Sequence, residues 1–91
     1  MPPMVKAKLV VETRAGLHTR PASQIVKVAS RYRSDIFFEY ENARVNAKSI
    51  MGIITLGAVY RAEILCICEG EDENELLAAI RRLFENRFEE E

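Results

Sequence analysis

The chain contains one histidine, two cysteines and no tryptophan, and it has almost no net charge: 13 basic residues stand against 14 acidic ones in 91. A metal centre built on several histidines is excluded, because only His18 is available. With a net charge of −1, no strong global field exists to recruit nucleic acid or an anionic membrane surface. No apolar run approaches the roughly 18 residues of a membrane-spanning helix. The start, Met1-Pro2-Pro3-Met4-Val5-Lys6, has no apolar core of the signal-peptide kind. The location expected is therefore the cytoplasm. Cys66 and Cys68 are two residues apart, so on a strand both face one side, where an unstrained disulfide is not favoured. They read as small buried apolar residues in a reducing compartment.

Ninety-one residues make one domain, residues 1–91, in which roughly 60–65% of the unfolded surface can be buried. Charge is unevenly distributed along it. Residues 1–68 hold ten basic and five acidic residues, whereas residues 69–91 hold nine acidic residues and three arginines. A basic body suits an acidic partner or phosphate chemistry; an acidic end suits a solvated last helix.

Periodicity marks out the elements. Val5, Ala7, Leu9 and Val11 alternate with Lys6, Lys8, Val10 and Glu12, as in a half-buried first strand. Ala22, Ile25, Val26 and Ala29 then share a helical face, with Pro21 near the start, where its missing N–H costs nothing. The helix is expected to begin at His18 or Thr19. Ser34–Tyr40 alternates again, with Ile36, Phe38 and Tyr40 inward. A turn over Glu41-Asn42-Ala43 leads to a short third strand, Arg44–Asn46, and Asn42 is the best candidate there for a positive φ. Ser49 is placed to cap a short helix that Gly57 can close in the left-handed conformation. Glu63–Glu69 is a fourth strand. Asp72 with Glu75 resembles a capping box, and Leu76, Leu77, Ile80, Leu83, Phe84 and Phe88 mark a last amphipathic helix of about four turns. The order β-α-β-β-α-β-α implies an α+β open-faced sandwich, one sheet with all its helices on one face.

His18 stands at the start of the first helix. Imidazole is a competent nucleophile near neutral pH and can hold a phosphoryl group on a ring nitrogen. A helix start offers free N–H groups and the positive end of a dipole, and Arg20 adds a guanidinium suited to phosphate oxygens. The plainer alternative is a histidine N-cap beside an ordinary surface arginine. Ser49 likewise reads either as a plain N-cap, stabilising by on the order of 1 kcal/mol, or as a modification site.

Gly16-Leu17-His18-Thr19-Arg20-Pro21-Ala22 resembles the active-centre motif of the HPr family, the histidine-containing phosphocarriers of the bacterial phosphoenolpyruvate-dependent sugar phosphotransferase system. Asn46-Ala47-Lys48-Ser49-Ile50-Met51-Gly52-Ile53, running on to Leu56-Gly57, resembles the regulatory serine segment of the same family. The resemblance covers about residues 4–88 and implies a four-stranded antiparallel sheet of order 1-4-2-3 under three helices. It implies that His18 accepts a phosphoryl group on Nδ1 from phosphorylated Enzyme I and passes it to IIA domains of sugar transporters. Arg20 would support the phosphoryl oxygens and Pro21 would fix the first turn. Thr19, Ile50, Met51 and Ile54 would form the docking surface. Ser49 would be the target of HPr kinase/phosphorylase. The protein would be a carrier rather than an enzyme, with no cofactor. The resemblance leaves room for two related roles: a regulatory protein whose Ser49-phosphorylated form binds a transcription regulator, and a carrier in a regulatory chain without sugar transport.

Two departures from the family stand out. Many relatives carry a glycine near Arg61. On the outer sheet face, Val10, Phe37, Leu65 and Ile67 would form a contiguous exposed apolar patch, read either as scattered exposure or as a surface for a partner or for a weak homodimer of an otherwise monomeric chain. The acidic end Glu89-Glu90-Glu91 has no assigned role and is expected to be disordered.

Overall fold

A computed structural model describes residues 4–89 of the chain. Its elements run β1 (Val5–Val10), α1 (Thr19–Ala29), β2 (Asp35–Tyr40), β3 (Ala43–Asn46), α2 (Ile50–Leu56), β4 (Glu63–Glu69) and α3 (Glu73–Glu85). The strands form one antiparallel sheet in the order β1-β4-β2-β3. This is the open-faced α+β architecture expected, with three helices over a single sheet.

The two-residue period of each strand decides what the helices cover. Leu9, Ile36, Phe38, Ile64, Cys66 and Cys68 face inward and are buried. They meet Ala22, Ile25 and Ala29 of α1, Ile53 of α2, and Leu76, Leu77, Ile80 and Phe84 of α3. Burying a large aliphatic or aromatic side chain stabilises by roughly 1.5–3 kcal/mol, so this face holds the layers together. Cys66 and Cys68 lie on the central strand with their sulfurs 4.0 Å apart, both reduced. The hydrogen bond to Cys68, reinforced by burial, pushes the Cys66 thiol well up from its ordinary pKa.

Three expectations about local structure need correction. Asp72 starts α3 but does not cap it. Its carboxylate instead accepts the backbone N–H groups of Arg33 and Ser34, both at 2.9 Å, and the Ser34 hydroxyl. The turn before α3 is held by Glu73, whose Oε1 accepts the Gly70 N–H at 3.0 Å; the Asp72–Glu75 capping box does not form. Second, Phe88 is not on the helix. The chain leaves α3 after Glu85, and Arg87, Phe88 and Glu89 form a left-handed turn at φ 53°, 55° and 53°. That turn folds the Phe88 ring back onto Phe84, at 5.0 Å between centroids, so Phe88 is buried in spite of the break. Third, Ala43 belongs to β3 and pairs with Tyr40. The hairpin turn is therefore only Glu41-Asn42, both at positive φ, as a two-residue turn that follows the sheet's twist requires.

The outer face also differs from expectation. The register sets Lys6, Ile67, Phe37 and Asn46 in one row and Lys8, Leu65, Glu39 and Arg44 in the next. Charged or polar residues thus flank the apolar side chains in each row. Ile67 is only 3% exposed, and the Arg44 guanidinium sits 4.3 Å above the Phe37 ring. Arg44 also pairs with Glu39 at 3.3 Å, and Lys8 with Glu63 at 3.9 Å. A contiguous exposed patch over Val10, Phe37, Leu65 and Ile67 is not present.

Among the described residues no helix is long and apolar enough to cross a membrane, and no cluster of three or more metal-ligating side chains occurs. The chain start at residues 1–3 and the acidic end at Glu90 and Glu91 lie outside the described residues.

Candidate functional site

The segment joining β1 to α1 is a short, tightly bonded loop. Thr13 is buried, and its Oγ1 donates to the Gly16 carbonyl at 2.9 Å while its own carbonyl accepts the Gly16 N–H at 3.0 Å. Gly16 stands at φ +75°, and a β-carbon there would come within 2.6 Å of the Ala58 carbonyl oxygen. Only glycine fits both the dihedral and the close approach. The next residue, Leu17, is buried and donates its N–H to that same Ala58 carbonyl at 3.1 Å. The loop is therefore fastened to the connection between α2 and β4.

This fastening sets up His18. Its N–H bonds the Gly16 carbonyl at 2.9 Å, its backbone is extended at φ −82° and ψ −169°, and its carbonyl accepts the Ala22 N–H at 3.0 Å. His18 is thus the N-cap of α1, half-buried, with no side-chain capping bond. The helical hydrogen-bonding pattern supplies no carbonyl to the N–H groups of residues 19 and 20, and Pro21 has no N–H to satisfy. Pro21 is buried against the core as the third helical residue, while Thr19 and Arg20 are exposed beside the imidazole's end of the helix. The arrangement offers a ring nitrogen, main-chain donors at a positive helix end, and an exposed guanidinium within three consecutive residues. That set can accept and hold an anion such as a phosphoryl group.

The second motif lies on the neighbouring helix, since α2 packs against α1. Ser49 is the N-cap of α2, and its Oγ accepts the Gly52 N–H at 3.0 Å. Gly57 closes the helix at φ +71°. Lys48 is drawn away from Ser49, its Nζ donating to the Tyr32 carbonyl at 2.9 Å beyond the end of α1. Ile50 is 38% exposed and Met51 65%, whereas Ile54 is half-buried against the core. The first turn of α2 therefore presents apolar surface to solvent directly beside Ser49.

Sequence periodicity gave no weight to the connection between α2 and β4, where Val59 and Tyr60 are also exposed. No repeat marks them, because they occupy a turn; the only cue was the missing glycine next to them. Arg61 adopts φ +74°, the conformation that a glycine would take without strain.

The comparisons with known proteins agree. Residues 5–86 match the family described as PTS HPr component phosphorylation site. The chain is 49% identical over 88 residues to the phosphocarrier protein HPr of Treponema pallidum, covering 97% of this chain and all of the relative. It is 45% identical over 74 residues to the HPr-like protein Crh of Bacillus subtilis, covering 81% of this chain and 87% of the relative. The crystal structure of HPr-C-His from Thermoanaerobacter tengcongensis superposes with a TM-score of 0.92 at 40% identity, covering 96% of this chain and 98% of that one.

Proposed function

This chain belongs to the HPr phosphocarrier family of the phosphotransferase system, and from that premise we propose that His18 accepts a phosphoryl group from phosphorylated Enzyme I and delivers it to IIA domains of sugar transporters. The reading rests above all on the placement of His18 as a half-buried N-cap whose following N–H groups have no helical partner. In the forward step a ring nitrogen of His18 attacks phosphorus. The bond from phosphorus to the donor's histidine nitrogen breaks, and the new phosphoramidate carries its negative charge against the positive end of α1. In the return step an acceptor histidine attacks and His18 is regenerated. Arg20, exposed beside His18, neutralises the phosphoryl oxygens in both complexes. Residues Thr19, Ile50, Met51 and Ile54 supply the docking contacts, and the protein acts in the cytoplasm as a carrier.

Ser49 supports a regulatory role beside this one. A phosphate on its Oγ, added by HPr kinase/phosphorylase, would place about two negative charges next to exposed Ile50 and Met51. Apolar docking there would weaken, while the start of α2 tolerates the charge. Similarity to an HPr-like protein favours keeping a second reading, in which the Ser49-phosphorylated form binds a transcription regulator. His18 within its full motif favours the carrier.

Incubation with phosphoenolpyruvate and Enzyme I should give one acid-labile phosphoryl group, absent from His18→Ala. Its persistence in that variant would overturn the assignment. With ATP and the kinase, acid-stable phosphate should appear and Ser49→Ala should abolish it; an unmodified wild type removes the regulatory role.

A further inference from the structure

Helices α1 and α3 pack against each other and leave between them a groove of about 340 Å³ that opens to solvent. Its walls follow helical spacing, with Val28, Arg31 and Tyr32 on one side and Ala79, Arg82 and Leu83 on the other. Arg31 and Tyr32 stay on the α1 stripe although the helix ends at Ala29, because their N–H groups bond the Val28 and Ala29 carbonyls, both at 3.1 Å. The lining between the walls is apolar: Val28, Tyr32 and Leu83 are half-buried against the core, and Phe88 is fully buried. The left-handed turn after α3 brings Phe88 and Glu89 to the groove. Two polar groups there are already spent. Gln24 Nε2 donates to the Phe88 carbonyl at 3.2 Å, and the Tyr32 carbonyl accepts from Lys48 Nζ at 2.9 Å. The two guanidiniums are not spent. Both are exposed, and among the described residues neither Arg31 nor Arg82 is engaged in an ion pair. Glu89 is the one acid of the lining, so two cations against one carboxylate leave the groove with a charge of +1.

We propose that this groove binds a medium-chain carboxylate, with the alkyl body along Val28, Tyr32 and Leu83 and the head within reach of Arg31 and Arg82. The size is at the lower end of cavities that take small molecules. The apolar lining selects the body: a sugar there would leave hydroxyl groups without partners, whereas an alkyl chain loses only its contact with water. The charge selects the head. A net +1 matches one negative charge, and a guanidinium fork receives a carboxylate through two parallel hydrogen bonds. No residue assigned to phosphoryl transfer or to docking lines the groove. Val28 lies about 15 Å along α1 from His18, so the proposal stands apart from the carrier reading.

The test titrates the full chain with sodium octanoate, followed by calorimetry and by backbone amide shifts in NMR spectra. Octanoate should saturate one site with a Kd below about 1 mM, and the shifted amides should fall within residues 24–32 and 79–89. Acetate, a head without a body, should not bind in that range. Octylammonium, the same body with the opposite charge, should bind at least about tenfold more weakly. Arg31→Glu and Arg82→Glu should each raise the octanoate Kd about tenfold. Lys6→Glu changes the net charge equally on the outer sheet face and should leave Kd within about twofold. Leu83→Ser should weaken binding by removing contact with the body. Thermal melting checks its fold, and the two arginine variants, altered only at exposed side chains, decide the matter if it unfolds. A Kd above about 1 mM, shifts confined to other segments, or equal affinity for octylammonium would overturn the proposal. So would octanoate binding that appears only after Glu90 and Glu91 are deleted, because the acidic end would then be the occupant. A dimer seen by light scattering that Arg82→Glu dissolves would also overturn it, since the groove would then serve a second copy.

Discussion

Helices α1 and α3 both begin on a residue whose side chain forms no capping bond, yet the two starts are built for opposite ends. At α3 the Asp72 carboxylate is fully engaged elsewhere, taking two backbone N–H groups and a hydroxyl from residues 33 and 34. It ties the start of α3 to the start of β2. At α1 the backbone around His18 is held through Gly16, Leu17 and Ala22, and the helical pattern supplies no carbonyl to the N–H groups of residues 19 and 20, where the proposed function seats the phosphoryl group. One start spends its polar groups on the fold. At the other they serve the phosphoryl group in the proposed function, and the loop before it is fastened by main-chain bonds together with the Thr13 hydroxyl.

Substitutions can break this contrast. The largest effect expected is His18→Ala, which should abolish phosphoryl transfer and leave Tm nearly unchanged; a comparable loss of both would mean that the imidazole is structural. Gly16→Ala should damage both properties. The added β-carbon meets the Ala58 carbonyl at 2.6 Å in a left-handed backbone, so a loss of at least about 1–2 kcal/mol is expected in denaturant unfolding, with slower transfer. Wild-type stability in that variant would show that the loop is not clamped.

Asp72→Asn should do the reverse of His18→Ala, lowering stability and sparing transfer. The hydrogen bond from Ser34, then that from the Arg33 N–H, holds the Asp72 carboxyl down at about 2, below its ordinary 3.8. A depressed carboxyl stabilises the folded state above its unfolded pKa and loses that contribution as pH falls through the folded one. The Tm gap between wild type and Asp72→Asn should therefore be constant above about pH 5 and close as pH falls from about 4 to 2. A gap that persists at pH 2 would show that the carboxylate charge is not responsible. The smallest effect is Arg61→Gly, which should raise stability by about 0.5–1 kcal/mol in the same unfolding assay; a loss would mean that the guanidinium holds the turn.

The contrast also explains what could be read in the sequence. Strands and helix faces were legible because burial imposes a two-residue or 3.6-residue period, as in Ile36 with Phe38 and Ile25 with Ala29. The α1 start was legible because Gly16, His18 and Pro21 each fill a backbone requirement within a few residues. Asp72 was misread because a capping box and a carboxylate clasping residues 33 and 34 have the same local sequence. Only the tertiary approach of β2 to α3 decides between them. Phe88 kept the helical spacing although the helix had already ended, since burial selects a ring at that depth whichever way the chain turns. The outer face looked apolar because alternation does not reveal which neighbour's stem lies across it, as Arg44 lies across Phe37.

The two sulfurs on the central strand have a practical consequence. Cys66 and Cys68 are the only thiols in the chain, and both are buried where β4 is paired on each side. A thiol-reactive dye cannot reach either one until the helices lift from the sheet or β4 leaves it. The protein therefore carries its own unfolding clock: the rate of labelling under native conditions times the opening of the core between helices and sheet, with no engineered probe.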